Sequence, residues 1–357
     1  MGMNRSIKIS IVIFLCGWLL IACFEHYLMS CKNTNLHQWL YPKLYQGSFD
    51  AKAFPCRKSR LQEYQQLVAR GYQSMKQKRL VICGLARDCE HSLLLMMNRI
   101  EETGALFKDY RVLIFENDSK DETRNLLKQW EEKNKKVSLL TCEVPDCKFK
   151  ERPLYEWGAC HRTRMEKMAY FRNKYLSVVY EQLSDFDYMM VVDMDIKGPW
   201  NLDGMASSFG YNNWDAIFAN GLHTIPYLAG LRYGMYDAAA YVKYGGDYTV
   251  FNSYGSAVKN YFRLNFIECS SLCVGDPLIR VSSAFGGLGL YSIKSLSGCF
   301  YSGELCEHAA LHKKMAEKGH DLLYINPSLI ILSGHQGPPN LFDFIKRVLP
   351  EKFFKKS

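Results

Sequence analysis

Short apolar segments alternate with helical ones between Leu80 and Thr141, and this alternation limits the fold more than any other feature of the chain. The apolar segments are rich in β-branched residues, which predicts strands. The predicted strands are Leu80–Leu85, Arg111–Phe115 and Val137–Thr141, and the predicted helices cover about 91–104 and about 121–134. A β-α-β-α-β order indicates a parallel sheet with helices on its faces. We therefore expect an α/β protein with a Rossmann-like, mostly parallel central sheet.

A fourth apolar run, Tyr188–Val192, ends in two aspartates one residue apart, Asp193 and Asp195. Extended chain would place both carboxylates on one side and Met194 on the other. Two such carboxylates repel each other unless a cation lies near them, and oxygen ligands favour Mg²⁺ or Mn²⁺. The alternative is a solvated strand end without a ligand.

Charged residues also follow the first two predicted strands. Arg87 and Asp88 come after the first, and Glu116 and Asp118 come after the second. Ligands of open α/β sheets bind at the carboxyl ends of the strands, so these residues are candidates for a binding site. Ordinary solvated loops remain the alternative.

Arg172 falls within the apolar stripe of a helix predicted from His161 to Leu176. A buried guanidinium needs an anionic partner, because burying it unpaired is strongly unfavourable. That partner is a bound phosphate, a metal-binding carboxylate or a salt bridge within the fold.

Two residues of the C-terminal third are further candidates. Glu307 opens a predicted helix, where the macrodipole favours a glutamate, and it is also well placed to act as a base. His335 lies between glycines after a predicted strand, Leu329–Leu332. A lone histidine in a loop needs no function, but an imidazole is a suitable third ligand for an Asp-x-Asp metal site.

The N-terminal segment is apolar from Ile9 to Phe24 and follows Arg5 and Lys8. Extended by flanking apolar residues, it is long enough for a transmembrane helix, although a cleaved signal peptide is the rival interpretation. Positive charge before the span predicts a cytoplasmic N-terminus and a type II topology. In a eukaryote this predicts a lumenal domain, in the Golgi or the ER.

The formal net charge of +9 over 357 residues favours anionic partners such as phosphates, acidic glycans or a membrane surface. Nucleic acid is a poorer partner, since the chain has no zinc-finger spacing, basic-region helix or RNA-stacking motif.

The thirteen cysteines include three close pairs that suggest local disulfides, with buried thiols as the alternative. The pairs are Cys142/Cys147, Cys269/Cys273 and Cys299/Cys306.

From about Leu80 to His335 the order of these features resembles that of glycosyltransferases of the GT-A fold. Within that fold the chain is most similar to the fungal capsule-associated mannosyltransferase group. The segments that carry the similarity are Arg172-Asn173 with Leu176, Phe285-Gly286-Gly287, Cys306-Glu307-His308 and Tyr324-Ile-Asn-Pro327. That group's metal motif is often less symmetrical than Asp193-Met-Asp195.

The resemblance implies roles for the candidate residues. Arg87, Glu116 and Asp118 would hold the nucleoside of a GDP- or UDP-sugar. Asp193 and Asp195 would hold Mn²⁺ or Mg²⁺ against the diphosphate, with His335 completing the coordination. Glu307 would be the general base of an inverting enzyme, or would orient the sugar in a retaining one, and Arg172 would neutralise developing charge.

The function expected from the resemblance is metal-dependent transfer of a sugar, with mannose favoured, to a hydroxyl of a glycan or glycoconjugate. The alternatives are a nucleotidyltransferase with the same paired-aspartate metal site and a non-catalytic glycan-binding membrane protein. The expected segments are a cytoplasmic tail (1–8), a signal anchor (9–29), a stem (30–78), the GT-A domain (79–340) and a basic aromatic tail (341–357).

Overall fold

The computed structural model describes residues 49–142, 159–227, 230–248 and 272–336, without the side chains of 159–163, 224–233 and 335–336. By compactness the chain divides into two units, and the larger one consists of residues 45–223 and 233–335. The other consists of residues 1–44, 224–232 and 336–357. All the candidate site residues belong to the larger unit.

Helices and strands alternate through the described residues. The helices are α1 (Leu61–Met75), α2 (Glu90–Gly104), α3 (Thr123–Lys133), α4 (Ala159–Gln182), α5 (Leu202–Gly210), α6 (Ile293–Leu296) and α7 (Glu307–Glu317). The strands are β1 (Arg79–Ala86), β2 (Asp109–Glu116), β3 (Val137–Thr141), β4 (Tyr188–Asp193), β5 (Ala216–Tyr227), β6 (Gly230–Met235), β7 (Val242–Lys243), β8 (Ile279–Ser283), β9 (Leu288–Ser292) and β10 (Leu323–Gln336). The β-α-β-α-β order predicted for the first part of the chain is confirmed.

The strands form one sheet in the order β3-β2-β1-β4-β9-β5-β10-β8-β7, with β6 paired to β5. Strands β3, β2, β1 and β4 are parallel. Strand β9 is antiparallel to both β4 and β5, and β8 is antiparallel to both β10 and β7. The order reverses between β1 and β4, because the chain runs from β1 outward to β3 before β4 joins the other side of β1.

The expectation of a mostly parallel sheet is therefore wrong for its second half. The fold is mixed α/β, with four parallel strands followed by a part in which β9 and β8 run antiparallel to their neighbours. The hydrophobic pattern could not separate the two, because a strand buried on both faces is continuously apolar in either direction. Strand β9 has such a pattern, with Leu288 to Tyr291 all buried.

The core has two layers, one on each face of the sheet. Met189 and Val191 point to the layer that holds α4 and α7, whereas Met190 and Val192 point to the layer that holds α2, α3 and α5. This alternation follows from the two-residue period of a strand. Because α4 and α7 belong to the same layer, Arg172 of α4 and Glu307 of α7 lie over the same face of the sheet.

Helix α1, predicted as part of a stem, packs against α5 with backbone contact. A Cβ atom at Gly71 would lie 1.7 Å from the carbonyl oxygen of Ala206, and one at Gly210 would lie 2.2 Å from that of Leu67. The two glycines therefore let the helices approach until their backbones touch. The boundary between stem and domain at residue 78 stays a prediction, but α1 itself is packed onto the domain.

Strand β10 runs through Pro327, since it continues from Leu323 to Gln336. Proline removes one donor from the ladder. Beside it the Ser328 N–H donates instead to the Asn326 side chain at 2.9 Å. The Ser328 hydroxyl in turn accepts from the Gly275 N–H at 2.9 Å. These side-chain bonds replace the regular pairing at the proline.

Of the three disulfides predicted from the sequence, two are contradicted by the structure and one stays a prediction. Cys299 and Cys306 are both thiols, so the disulfide predicted between them is wrong. Cys273 also carries a thiol, which contradicts its pairing with Cys269. Cys142 is disulfide-bonded, and its predicted partner Cys147 lies outside the described residues.

No helix within the described ranges is both long enough and apolar enough to cross a membrane. The predicted signal anchor at 9–29 and the basic tail at 341–357 lie outside those ranges, so both stay predictions.

Candidate active site

The site is built around the carboxyl end of β4. Asp193 is the last residue of this strand, where it pairs with Leu85 of β1, and its N–H donates to the Gly287 carbonyl at 3.0 Å. Met194 and Asp195 form a turn, so the extended geometry expected across Asp193-Met-Asp195 is wrong. Burial raises the pKa of Asp193, and the charge of Asp195 raises it further.

Gly286 and Gly287 fit the backbone beneath Asp193. Both have left-handed φ angles, +63° and +85°. A Cβ at Gly286 would lie 2.4 Å from the Ala219 carbonyl oxygen, and one at Gly287 would lie 2.9 Å from the ring of Tyr236. The two glycines therefore make room for other parts of the protein, namely the Ala219 carbonyl and the Tyr236 ring.

Arg172 joins the two sides of the site from α4. Its Nη2 lies 3.5 Å from Oδ1 of Asp193, and its Nε donates to Oε1 of Glu307 at 3.2 Å. Its Nη1 donates to the Tyr175 hydroxyl at 3.3 Å. The side chain is 2% exposed. Of the three partners left open by the sequence, the structure shows a carboxylate of the predicted metal motif together with a salt bridge inside the fold.

Aromatic rings surround the Arg172 guanidinium. It lies over the rings of Phe285 and Tyr301, at 5.4 and 5.8 Å from their centroids. Cation–π attraction is stronger away from water, so these rings help to hold the charge in a buried position. Burial alone would lower the pKa of Arg172, but its neighbours raise it well above the usual value. Arg172 is therefore a permanently charged and fixed part of the site.

Glu307 begins α7, and its side chain is 6% exposed. Besides Arg172, it contacts the Cys306 thiol, whose Sγ lies 3.8 Å from Oε2. Burial raises the pKa of the Cys306 thiol well above its usual range, and the charge of Glu307 raises it further. The carboxylate thus lies at the inner end of the site, whereas Asp193, 22% exposed, lies nearer its opening.

Negative charge exceeds positive charge around Arg172. Burial raises the pKa of Asp193 to about 6, Arg172 opposes the shift, and Asp195 and Glu307 increase it. Burial likewise raises the pKa of Asp237 well above its usual range, and both Asp193 and Glu307 add to the effect. A raised carboxyl pKa means that the charged form lacks compensation. The site therefore favours an added cation.

Tyr236 is a further member of the site, beyond the residues predicted from the sequence. Its hydroxyl donates to Oδ2 of Asp193 at 3.2 Å, and burial beside Asp193 and Asp195 raises the pKa of Tyr236 well above its usual range. Asp237, the next residue, has a left-handed φ of +58°. Strained non-glycine residues are enriched at functional sites, and this strain is a signal that a sequence does not carry.

The loops after β1 and β2 are tied to each other. The Asp88 N–H donates to Ser119 Oγ at 3.1 Å, and Asp88 Oδ1 accepts from the Lys120 N–H at 2.7 Å. Asp88 and Asp118 both have positive φ angles, +48° and +50°. These loops form one rim at the carboxyl ends of the two strands.

The nucleoside-binding residues predicted on this rim differ in their surroundings. Glu116 is buried, and its two carboxylate oxygens bond to Arg124 Nε at 2.5 Å and to the Ser119 N–H at 2.8 Å. It therefore fixes the loop. Asp118 is exposed and accepts from the Asn117 side chain at 2.9 Å, and Arg87 lies 3.4 Å from Asp88. Their contact with a nucleoside stays a prediction.

The residues present suit a hard divalent cation only in part. Asp193 and Asp195 offer carboxylate oxygens, the ligands that Mg²⁺ and Mn²⁺ prefer, in a site with excess negative charge. Within the described ranges, no group of three or more His, Cys, Asp and Glu side chains is placed to hold a metal. The side chain of the third predicted ligand, His335, lies outside those ranges, so the three-ligand set stays a prediction.

Fold and site together define a mixed α/β protein with a carboxylate-rich site at the carboxyl end of β4, beside the point where the strand order reverses. Open α/β sheets bind their ligands in the crevice at such a point.

No protein-family profile and no curated protein sequence matches the chain. Among solved structures, the chain is similar to the mannosyltransferase PcManGT from Pyrobaculum calidifontis in complex with GDP-Man and Mn²⁺. That likeness has a TM-score of 0.43 and 12% identity, over 81% of this chain and 69% of that one.

Two further solved structures show a likeness of the same degree. For GalNAc-T7 with UDP, GalNAc and Mn²⁺ the TM-score is 0.42 with 10% identity, over 76% of this chain and 48% of that one. For S. aureus TarS 1-349 it is 0.39 with 10% identity, over 75% and 63%.

Proposed function

We propose that this protein is a metal-dependent glycosyltransferase that moves a sugar from a nucleotide sugar to a hydroxyl of a glycan or glycoconjugate. The donor is a GDP- or UDP-sugar, with mannose favoured, and the metal is Mn²⁺ or Mg²⁺. The observation that carries the proposal is the placement of Arg172 between Asp193 and Glu307 in a site with excess carboxylate charge.

The position of Asp193 supports binding of a diphosphate. Asp193 lies at the carboxyl end of β4, directly beside the end of β1 and its rim of polar loop residues. A nucleoside held by that rim, with Arg87 and Asp118 as candidates, would direct its diphosphate toward Asp193 and Asp195. A bound divalent cation supplies electrostatic neutralisation of the leaving diphosphate. Arg172 adds a fixed positive charge on the inner side.

Glu307 is suited to act on the acceptor. It lies across Arg172 from Asp193, so a sugar bound beside Arg172 would have its leaving group toward Asp193 and the acceptor toward Glu307. As a base, Glu307 would take the proton of the acceptor hydroxyl in an inverting displacement. In a retaining reaction its carboxylate would orient the sugar instead.

A screen of donor turnover tests the proposal. The purified full chain is incubated with separate GDP- and UDP-sugars, and with nucleoside triphosphates, in the presence and absence of Mn²⁺. Metal-dependent release of nucleoside diphosphate from one nucleotide sugar is the expected result. Turnover of a triphosphate with release of pyrophosphate would indicate nucleotidyl transfer, and binding of glycan without any turnover would indicate a lectin-like protein.

Variants connect that turnover to the site. We expect Asp195→Asn to lower turnover about 100-fold or more, because it removes a carboxylate that would hold the cation against the leaving diphosphate. Glu317→Gln is the matched control, since Glu317 is an exposed carboxylate whose pairing with Lys313 spans 3.8 Å on the surface. Equal turnover by Asp195→Asn and the control would remove Asp195 from the mechanism.

We propose further that the enzyme is a type II membrane protein with a lumenal catalytic domain. The apolar segment at 9–29 and the basic residues before it support this topology. Protease protection in sealed microsomes tests it. The domain would be digested only after detergent is added, whereas digestion of intact microsomes would place it in the cytoplasm.

A further inference from the structure

Two histidines on α7, one helical turn apart, are both buried but differ in their hydrogen bonds. Nδ1 of His312 lies 2.8 Å from Ser283 Oγ, and its Nε2 lies 3.0 Å from the Tyr291 hydroxyl. His308 is 1% exposed, and within the described ranges neither of its ring nitrogens has a hydrogen-bond partner. His312 is an ordinary core histidine, whereas His308 requires another explanation.

Packing alone does not require an imidazole at this position. The His308 ring stacks on Phe285 with centroids 3.7 Å apart and planes inclined by 17°. Tyr301 meets it edge-on at 5.7 Å. A phenylalanine would make the same ring contacts. It would also avoid burying unpaired polar nitrogens, which is costly.

The nearest polar atom of functional interest is the carboxylate of Glu307. Nε2 of His308 lies 3.8 Å from Oε1 of Glu307, the same oxygen that accepts from Arg172 Nε at 3.2 Å. A separation of 3.8 Å is too long for a hydrogen bond. Hydrogen bonds between catalytic groups are often long without substrate and shorten in the complex.

His308 is held in its neutral form. Burial lowers its pKa well below the usual value of 6.5, and the positive charge of Arg172 lowers it further. A neutral imidazole donates through one nitrogen. His308 can therefore donate to a carboxylate without adding a second buried cation beside Arg172.

We propose that His308 is a positioning residue for Glu307, with its Nε2–H directed at Oε1 beside the Arg172 donor and closing to a hydrogen bond there in the complex with substrate. The inference rests on the proposed function, in which Glu307 contacts the acceptor. Arg172 divides its donors between two carboxylates, so a second donor at Oε1 would hold the orientation of Glu307 while the guanidinium stays in contact with both. A nearly buried Glu307 left without a donor would lose its orientation.

Three substitutions of His308 separate this role from packing. His308→Phe keeps the ring contacts and removes the donor, and we expect kcat to fall about ten-fold with the KM for the donor sugar unchanged. His308→Gln places an amide N–H near the position of Nε2 and restores most of kcat. The side chain of His308→Asn is too short to reach it and does not.

His312→Phe is the matched comparison for folding. It breaks two hydrogen bonds and leaves the buried Tyr291 hydroxyl without its His312 partner, while Ser283 keeps its bond to the Ala240 carbonyl, so we expect the thermal midpoint to fall. His308→Phe breaks none that the structure shows, and its midpoint stays at the wild-type value or rises. A fall as large as that of His312→Phe, or wild-type kcat in His308→Phe, would overturn the proposal.

A spectroscopic readout is independent of activity. In protein labelled with ¹⁵N-histidine, we expect an imidazole N–H resonance that is absent from His308→Phe and moves upfield in Glu307→Gln, more than the resonance of His312 does. No response to Glu307→Gln would overturn the positioning role. If this resonance responds as expected but the wild-type protein turns over no donor, the proposed function fails and the contact between His308 and Glu307 stands.

Discussion

Arg172 donates from Nε to Oε1 of Glu307 at 3.2 Å, and this buried ion pair between residues 135 positions apart in the sequence joins α4 to α7. The pair orders the site from its inner side. Because the guanidinium also reaches Asp193, it holds the ends of β4 and α7 in a fixed relation. The electrostatics of the site and the stability of the domain are therefore coupled through one side chain.

Replacing this guanidinium should be costly for folding. Arg172→Met leaves Glu307 and Asp193 without their buried cation, and we expect a loss of about 3–5 kcal/mol in the free energy of unfolding. Lys313→Gln, at an exposed pair with Glu317, should change it by at most about 1 kcal/mol. Chemical denaturation measures both. Similar values for the two variants would mean that the Arg172 pairs contribute little to stability.

Metal binding should be detectable without any substrate. We expect Mn²⁺ to raise the thermal midpoint of the wild-type protein, with about 2.7 kcal/mol of stabilisation at 100 times the dissociation constant. Asp195→Asn should abolish the rise. Without metal its midpoint should equal or exceed that of the wild type, because a repulsion with Asp193 is relieved.

Glu317→Gln serves as the control for this titration, since it removes a carboxylate at the surface and leaves the site unchanged. It should retain the whole Mn²⁺ response. A wild-type midpoint that does not depend on Mn²⁺, or a full response in Asp195→Asn, would contradict a metal site at the two aspartates.

The sequence predicted the parallel half of the fold well, because each strand there is a short apolar run bounded by turn residues. It also indicated Asp193, Arg172 and Glu307, since charge at a strand exit, inside an apolar stripe and at a helix start each departs from what packing requires. The direction of β9 was not accessible, because its side chains are apolar on both faces.

Other features of the site depend on three-dimensional proximity that no local pattern records. Tyr236 becomes a partner of Asp193 only because the chain returns along β5 as far as Gly221, whose carbonyl accepts from the Tyr236 N–H. The expected alternation across Asp193 and Asp195 failed because the chain turns directly after the strand. The role of Glu116 in fixing its loop follows from Arg124, which lies eight residues later on a helix.

Acid should destabilise the protein through its buried histidines. Burial lowers the pKa of His312 to about 3, and the pKa of His308 also lies well below 6.5. Both are neutral in the folded protein, whereas the unfolded chain protonates them near pH 6.5, so unfolding takes up protons. Stability from this source is complete above about pH 6.5 and is lost as the pH falls toward 3.

Each buried histidine should contribute a slope of about 1.4 kcal/mol per pH unit within that window. Denaturation curves between pH 6.5 and 4.5 measure the slope, and His312→Gln should reduce it by that amount. His91→Gln, at an exposed histidine, should leave the slope unchanged. An unaltered slope in His312→Gln would show that His312 is protonated in the folded protein.

Because α1 and α5 are in backbone contact, adding a single methyl group to α1, at Gly71 in the expected stem, should destabilise the domain. A Cβ at Gly71 would lie 1.7 Å from the Ala206 carbonyl oxygen, on backbone that cannot rotate away. Gly71→Ala must therefore separate the two helices, and we expect a loss of about 1–3 kcal/mol despite the better helix propensity of alanine. Gln66→Ala, exposed on the same helix, should be neutral or slightly stabilising. If Gly71→Ala unfolds at the same denaturant concentration as Gln66→Ala, then α1 does not pack on α5, and the domain starts after it, at β1.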